Sequence, residues 1–253
     1  MRWCKLLYVF GVLCASFLLF SSGAYAAPAT FTVTNTDDSG VGSLRQAIDD
    51  ANNNGNPSDM DVIEFTIPGS GVHTLTPQSV LPNVSEKLTI DGYTQPGTQQ
   101  NSAVAPNPLN NVIKIELDLG SIPSSNRDKL TITADGSEIR GLALFSDTVG
   151  RMIRVNANNF VFQGNYNGFR ADGMTHVEAP IDFDAVESLS LMMLSESYSG
   201  CTIGGTNPQD RNIFGIQPGS LAAGTVTTYS NCSLKGNYFG LAKDGVTTFS
   251  RSM

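Results

Sequence analysis

The chain repeats itself, and self-similarity at a spacing of tens of residues confines a sequence to folds built by stacking equivalent units. Residues 159–173 and 231–245 share seven identical positions in fifteen, and Phe162 and Phe169 in the first are matched by Leu234 and Leu241 in the second. A second copy lies closer, where Tyr198, Ser199, Cys201, Ile203 and Gly205 recur 31 residues later as Tyr229, Ser230, Cys232, Leu234 and Gly236. The recurring mark is an apolar residue two places before a glycine: Ile90 and Gly92, Ile139 and Gly141, Phe162 and Gly164, Ile203 and Gly205, Leu234 and Gly236. Successive intervals of 49, 23, 41 and 31 residues fit coils of roughly 20 to 31 residues, provided that each long interval hides an extra coil or a protruding loop. Residues 113–119 and 189–194 are the candidates for the hidden strands.

Alternating apolar and polar residues over 31–34, 62–67 and 130–133 predict short strands. One segment reads as a helix. Ser43 is placed to cap it, Gln46 to complete a reciprocal capping box, and Leu44, Ala47, Ile48 and Ala51 share one face before Asn52-Asn53-Asn54-Gly55 ends it. A lone amphipathic helix after the first strand is expected to lie over the open end of a stack, hiding its apolar interior and blocking its free edge. Leu-rich and armadillo-type solenoids need helical periodicity in every unit, and none follows Asn52. The expected fold class is therefore all-β, a stack of β-coils with an amino-terminal strand-plus-helix cap.

Arg2 and Lys5 precede 15 apolar residues, 6–20, and the small-residue pattern Ala24-Tyr25-Ala26 follows. This arrangement predicts a secretory signal over 1–26, cleaved before Ala27, and hence a secreted or cell-surface protein. The apolar run is shorter than the ~20 residues that cross a bilayer, and no later segment reads as a span. Removing Arg2 and Lys5 takes the formal charge from −8 to −10, which argues against nucleic acid or anionic lipid as partner, since both are held by Lys and Arg. Only 15% of residues are charged, against about 25% in ordinary domains. Abundant Asn, Ser, Thr and Gly take their place, a composition suited to stacked β-turns.

The opening block FTVTNTDDSGVGSLRQAIDDAN, the segment LTIDGYTQPG at 88–97, and CTIGGTNPQDRNIFG with SLKGNYFGLAKDG further on resemble the secreted right-handed parallel β-helix repeat proteins of bacteria. These form the non-catalytic, surface-protein branch of the pectate-lyase-like superfamily. One departure is that Gly42 stands where related caps often carry a Cys before Ser-Leu-Arg. The resemblance implies a cap and first coils over 27–97 and further coils over 98–253. Residues 236–245 begin another coil and 247–253 offer no helix or charged strand to cover it, so the stack is expected to continue beyond Met253 or to be covered there by a capping partner. The resemblance also implies in-register stacking of Phe162, Ile203 and Leu234 in the core. Asn165 and Asn237 are candidates for an amide ladder at the turns, or else ordinary turn asparagines with a left-handed backbone. Cys201 and Cys232 would meet one coil apart, at about 4.8 Å, either as a disulfide or as two stacked thiols.

The superfamily includes enzymes acting on acidic polysaccharides, so catalysis must be weighed. Hydrolysis needs two carboxyl groups about 5 to 10 Å apart. Asp182 and Asp184 share one face of a strand and could supply them, or bind Ca²⁺ with Glu187, but so short a pattern is more often a solvated sheet face. A lyase base would come from Arg170, Arg154 or Arg140, none tied by spacing to those carboxylates. Asp37-Asp38-Ser39-Gly40 reads equally as a turn or a calcium loop. His73 and His176 lie in no recognisable catalytic setting, and no nucleophile elbow, zinc spacing or phosphate loop is present. No resident cofactor is expected beyond that candidate calcium. The expected function is a rigid exported scaffold in adhesion or carbohydrate contact, with a glycan or cell-surface ligand as partner. The alternative is a polysaccharide lyase or glycoside hydrolase acting on an acidic glycan.

Overall fold

The structure, a computed structural model, describes residues 28–55, 59–177, 192–194, 199–215, 221–223 and 231–249. Its strands are β1 (Thr30–Val33), β2 (Asp61–Phe65), β3 (His73–Leu75), β4 (Leu88–Asp91), β5 (Ile115–Asp118), β6 (Asp128–Ile132), β7 (Glu138–Arg140), β8 (Leu142–Phe145) and β9 (Arg151–Val155). They continue as β10 (Val161–Gln163), β11 (Tyr166–Asn167), β12 (Met192–Leu194), β13 (Thr202–Gly204), β14 (Ile213–Phe214), β15 (Leu221–Ala223), β16 (Ser233–Lys235) and β17 (Tyr238–Phe239). One α-helix, α1 (Leu44–Asn52), lies between β1 and β2. Among the described residues no helix is long and apolar enough to cross a membrane.

Short strands gain stability by pairing side by side, and here they do so in three open, parallel sheets. The first runs β1-β2-β4-β7-β10-β13-β16, the second β3-β5-β8-β11-β14-β17, and the third β6-β9-β12-β15. From β4 onward the chain enters the first, second and third sheet in turn before returning to the first. The protein is thus mainly parallel β.

Side chains alternate across a strand, so in-register pairing turns the recurring apolar residue into a column. Phe31, Ile63, Ile90, Ile139, Phe162, Ile203 and Leu234 are successive partners across the first sheet. Ile63 through Ile203 are buried in one apolar core. The expected burial of Leu234 is corrected: it is 52% exposed, because among the described residues β16 is the edge strand and nothing lies over it.

The spacing of the apolar-x-glycine mark is also resolved. All five marks fall on neighbouring strands of the first sheet, so neither long interval contains an extra pass through it. Residues 115–118 form β5 of the second sheet, and residues 192–194 form β12 of the third. The 49-residue interval instead holds an excursion after β4. It is closed by paired hydrogen bonds between Gln99 and Val112 and is pinned by Asn101, whose Nδ2 donates to the Pro208 carbonyl at 2.8 Å.

In α1, Leu44, Ala47, Ile48 and Ala51 are buried and join the same core as Val33, Ile63 and Phe65. Ser43 Oγ accepts from the Gln46 amide at 3.2 Å. The reciprocal half of the expected box is corrected. Gln46 Nε2 donates to Asp50 Oδ1 at 2.6 Å, a charge-assisted bond that turns the side chain forward and away from the cap, and the Ser43 N–H donates instead to the Gly40 carbonyl. Asp38 is held by Arg45 at 2.9 Å and by the Gln78 amide, so this acidic turn is tied to its own fold.

Candidate functional site

The residue between the apolar position and the glycine of a mark falls on the strand face opposite the apolar column. On the first sheet these residues are Asp91, Arg140 and Gln163, in register on β4, β7 and β10. Arg140 donates to Asp91 Oδ2 at 2.7 Å and lies 3.6 Å from Glu138 Oε1. Asp91 Oδ1 also accepts from the Tyr93 amide at 3.0 Å, capping a single turn at Gly92–Thr94. That turn swings Tyr93 across the sheet until its hydroxyl donates to the Gly164 carbonyl at 2.8 Å. The approach depends on Gly164, which has φ +66° and where a Cβ would lie 2.8 Å from both Tyr93 Oη and the Gln209 carbonyl.

A cleft of about 170 Å³ forms there, lined by Tyr93, Gln100, Arg140, Gln163, Gln209 and Asp210. Its floor is the first sheet. One wall is the excursion that carries Gln100, and the other is the turn Pro208–Asp210, fixed because Asp210 Oδ2 accepts from both the backbone and side-chain nitrogens of Asn207. Gln163 Nε2 donates to the Gly204 carbonyl at 2.9 Å.

Two carboxylates, Asp91 and Glu138, flank the Arg140 guanidinium, and a third, Asp210, lines the same cleft. Burial pushes the Glu138 carboxyl above the usual range; Arg140 pulls it back, and the charges of Asp91 and Asp210 add to the rise. Burial works against the charge on Arg140, but the Asp91 hydrogen bond and the neighbouring anions outweigh it and hold the guanidinium pKa above its ordinary value. Burial also pushes the Tyr93 phenol up to about 12. Arg140 and Tyr93 therefore keep their protons at neutral pH, and neither serves as a base there.

The other sequence-derived residues are dispersed. Arg170 pairs with Glu116 at 3.0 Å and lies 4.3 Å from the centroid of the Phe145 ring; Arg154 pairs with Asp128 at 3.0 Å. Asp182, Asp184 and Glu187 lie outside the described residues. Among the described residues no group of three or more His, Cys, Asp or Glu is placed to hold a metal. Cys201 and Cys232 form a disulfide with Cα atoms 4.4 Å apart.

Asn165 and Asn237 belong to one amide ladder whose middle member, Asn212, the repeat comparison missed. The Leu142 amide donates to Asn165 Oδ1 at 3.0 Å, the Asn165 amide to Asn212 Oδ1 at 2.8 Å, and the Asn212 amide to Asn237 Oδ1 at 3.2 Å. Each Nδ2 donates to a backbone carbonyl of the first sheet or its edge, at Ile139, Phe162 and Ile203 respectively. The signal for Asn212 was present in Asn212-Ile213-Phe214-Gly215, which repeats the spacing of Asn165 to Gly168 and Asn237 to Gly240. The signal for part of the cleft was the middle residue of two of the marks, Arg140 and Gln163. No protein-family model matches this chain, and no curated protein matches it.

Proposed function

We propose that this chain is a right-handed parallel β-helix of the kind found in the non-catalytic branch of the pectate-lyase-like superfamily. It acts as a rigid exported scaffold in adhesion or carbohydrate contact. The observation that carries the reading is the seven-strand in-register column from Phe31 to Leu234, beside which the Asn165–Asn212–Asn237 ladder runs. Columns of equivalent residues joined along one axis make a stiff rod whose surface is a repeated lattice of outward side chains. The right hand follows from the twist of strands joined by parallel crossovers. In this reading α1 is the amino-terminal cap. The exposed Leu234 and Phe239 mark the edge where further coils or a capping partner would stack.

A binding role is favoured over catalysis because Asp91, Arg140 and Asp210 are each engaged by the protein's own groups. The test is to express the full 253-residue chain in a secreting bacterium. The expected product begins at Ala27, is recovered outside the cytoplasm, is retained on glycan-coated surfaces, and releases no fragments from polygalacturonate with calcium present. Turnover of that polymer, lost in Asp182→Ala, would replace the scaffold with a lyase or hydrolase of acidic glycans.

A further inference from the structure

We infer that the cleft on the first sheet binds one unit of a neutral, hydroxyl-rich ligand, a pyranose without a carboxylate, and discriminates against acidic sugars. This deepens the carbohydrate-contact reading above and rests on it. The superfamily's acidic-glycan enzymes would suggest the opposite preference, so the inference rests on the lining groups of this chain.

Charge comes first. Asp91, Glu138 and Asp210 outnumber Arg140 by two formal charges. The terminal nitrogens of Arg140 face Asp91 and Glu138, which leaves no bidentate fork for an incoming carboxylate. An acidic sugar would have to displace an existing ion pair and enter a field of like charge.

Hydrogen-bonding capacity comes second. Gln100 and Gln209 each carry an amide with both donor and acceptor atoms, the pairing that adjacent hydroxyl groups require, while the Gln163 amide already donates to the Gly204 carbonyl. Gln100 and Gln209 are exposed at the rim. Arg140 Nε is buried and has no acceptor, and native structures rarely leave such a donor unpaired. Its surface is closed to solvent, so it adds no contact to an incoming ligand, and the rim amides carry the recognition. The Tyr93 phenol stays neutral; its hydroxyl donates to Gly164 and accepts from Asn111 Nδ2 at 3.4 Å, so it adds at most one further acceptor position.

Size comes third. About 170 Å³ is below the range of ~300–1,000 Å³ that encloses larger ligands, so the cleft takes one unit and leaves its neighbours in solvent. Partial enclosure and a polar lining predict weak binding, with Kd of about 1 mM, which becomes useful when many units of a polymer are engaged together.

The experiment is titration of the secreted protein by saturation-transfer NMR and calorimetry with methyl glycosides of glucose, galactose and mannose, and with galacturonate and glucosamine. At least one neutral glycoside should bind at least about tenfold more tightly than galacturonate. Gln100→Ala and Gln209→Ala, at exposed positions, should each weaken it several-fold while the circular dichroism spectrum is unchanged. Arg140→Lys should weaken it further. Preferential binding of galacturonate or glucosamine, absence of binding to every neutral glycoside, or unchanged affinity in both glutamine variants overturns the inference. A protein that is exported with the Cys201–Cys232 bond intact but binds none of these sugars removes the cleft assignment and leaves the scaffold. One that binds and cleaves polymer removes the scaffold and leaves the cleft.

Discussion

Replacing Asn212 by alanine probes the strongest polar tie between successive strands. The Asn212 side chain is fully buried, accepts from the Asn165 amide at 2.8 Å, and donates to the Phe162 carbonyl at 2.9 Å and to Asn237 Oδ1 at 2.8 Å. Truncation strands one buried N–H, on Asn165, and one buried carbonyl, on Phe162, with no route to water. Each costs about 1–3 kcal/mol, so Asn212→Ala should lose about 2–6 kcal/mol. Asn237 makes the same kind of bonds but sits half-buried on the edge strand side of the ladder, where water can replace the lost partners. Asn237→Ala should cost about 1 kcal/mol. Urea denaturation followed by circular dichroism measures both. At this size each kcal/mol lowers Tm by about 2–4 °C, so thermal melts give an independent check. If Asn212→Ala stays within about 0.5 kcal/mol of the parent, or if the two variants cost the same, the amide ladder does not hold the strands together as argued.

Three further outcomes follow from the structure. Opening the Cys201–Cys232 bond, which closes a 31-residue separation, should cost about 3–4 kcal/mol on the chain-entropy model, measured as the change in urea midpoint with and without reductant; no change would contradict it. Lys129 is fully buried against the Leu119 carbonyl and the Ser146 and Thr148 hydroxyls, and burial lowers its pKa to about 8. The unfolded chain therefore holds a proton that the folded one releases, and stability should rise between about pH 8 and 10.5, by up to ~1.4 kcal/mol per pH unit. Lys129→Met should lack the rise, and a parent whose stability is flat across that window would refute it. The Asn167 amide is fully buried with neither polar atom paired, in register between Leu144 and Phe214. Asn167→Leu should thus stabilise by about 1–3 kcal/mol, and a loss of more than about 1 kcal/mol in the same denaturation assay would refute the unpaired-amide assignment.

The column of the first sheet was legible because one residue type, the apolar side chain two places before glycine, is forced to recur wherever strands stack in register. The same regularity could not say that Leu234 is exposed, since a repeat reports its own pattern and not whether a strand covers it. Asn212 escaped because Arg211 replaces the glycine that precedes Asn165 and Asn237, and the eye follows the glycine. Gln46 was misassigned because a Gln at that place can reach back to the cap or forward to Asp50, and here it turns forward. The cleft was the least legible part. Tyr93, Gln100 and Asp210 lie on turns outside the repeat, brought over Arg140 and Gln163 by the excursion that the interval of 49 residues announced only as extra length.

The central claim is that strands of the first sheet stack in register along one axis. Thr30, Val62, Thr89, Glu138, Val161, Thr202 and Ser233 are successive partners in it. Electron-electron resonance between spin labels borne by unnatural amino acids, which leave Cys201 and Cys232 intact, reads the spacing directly. Labels at Thr30 and Val161, four steps apart, should lie about 19 Å apart, and labels at Thr30 and Ser233, six steps apart, about 29 Å, at ~4.8 Å per strand. Distances that fail to grow by about 10 Å between the two pairs, or that exceed about 40 Å for the longer one, would contradict the stacking.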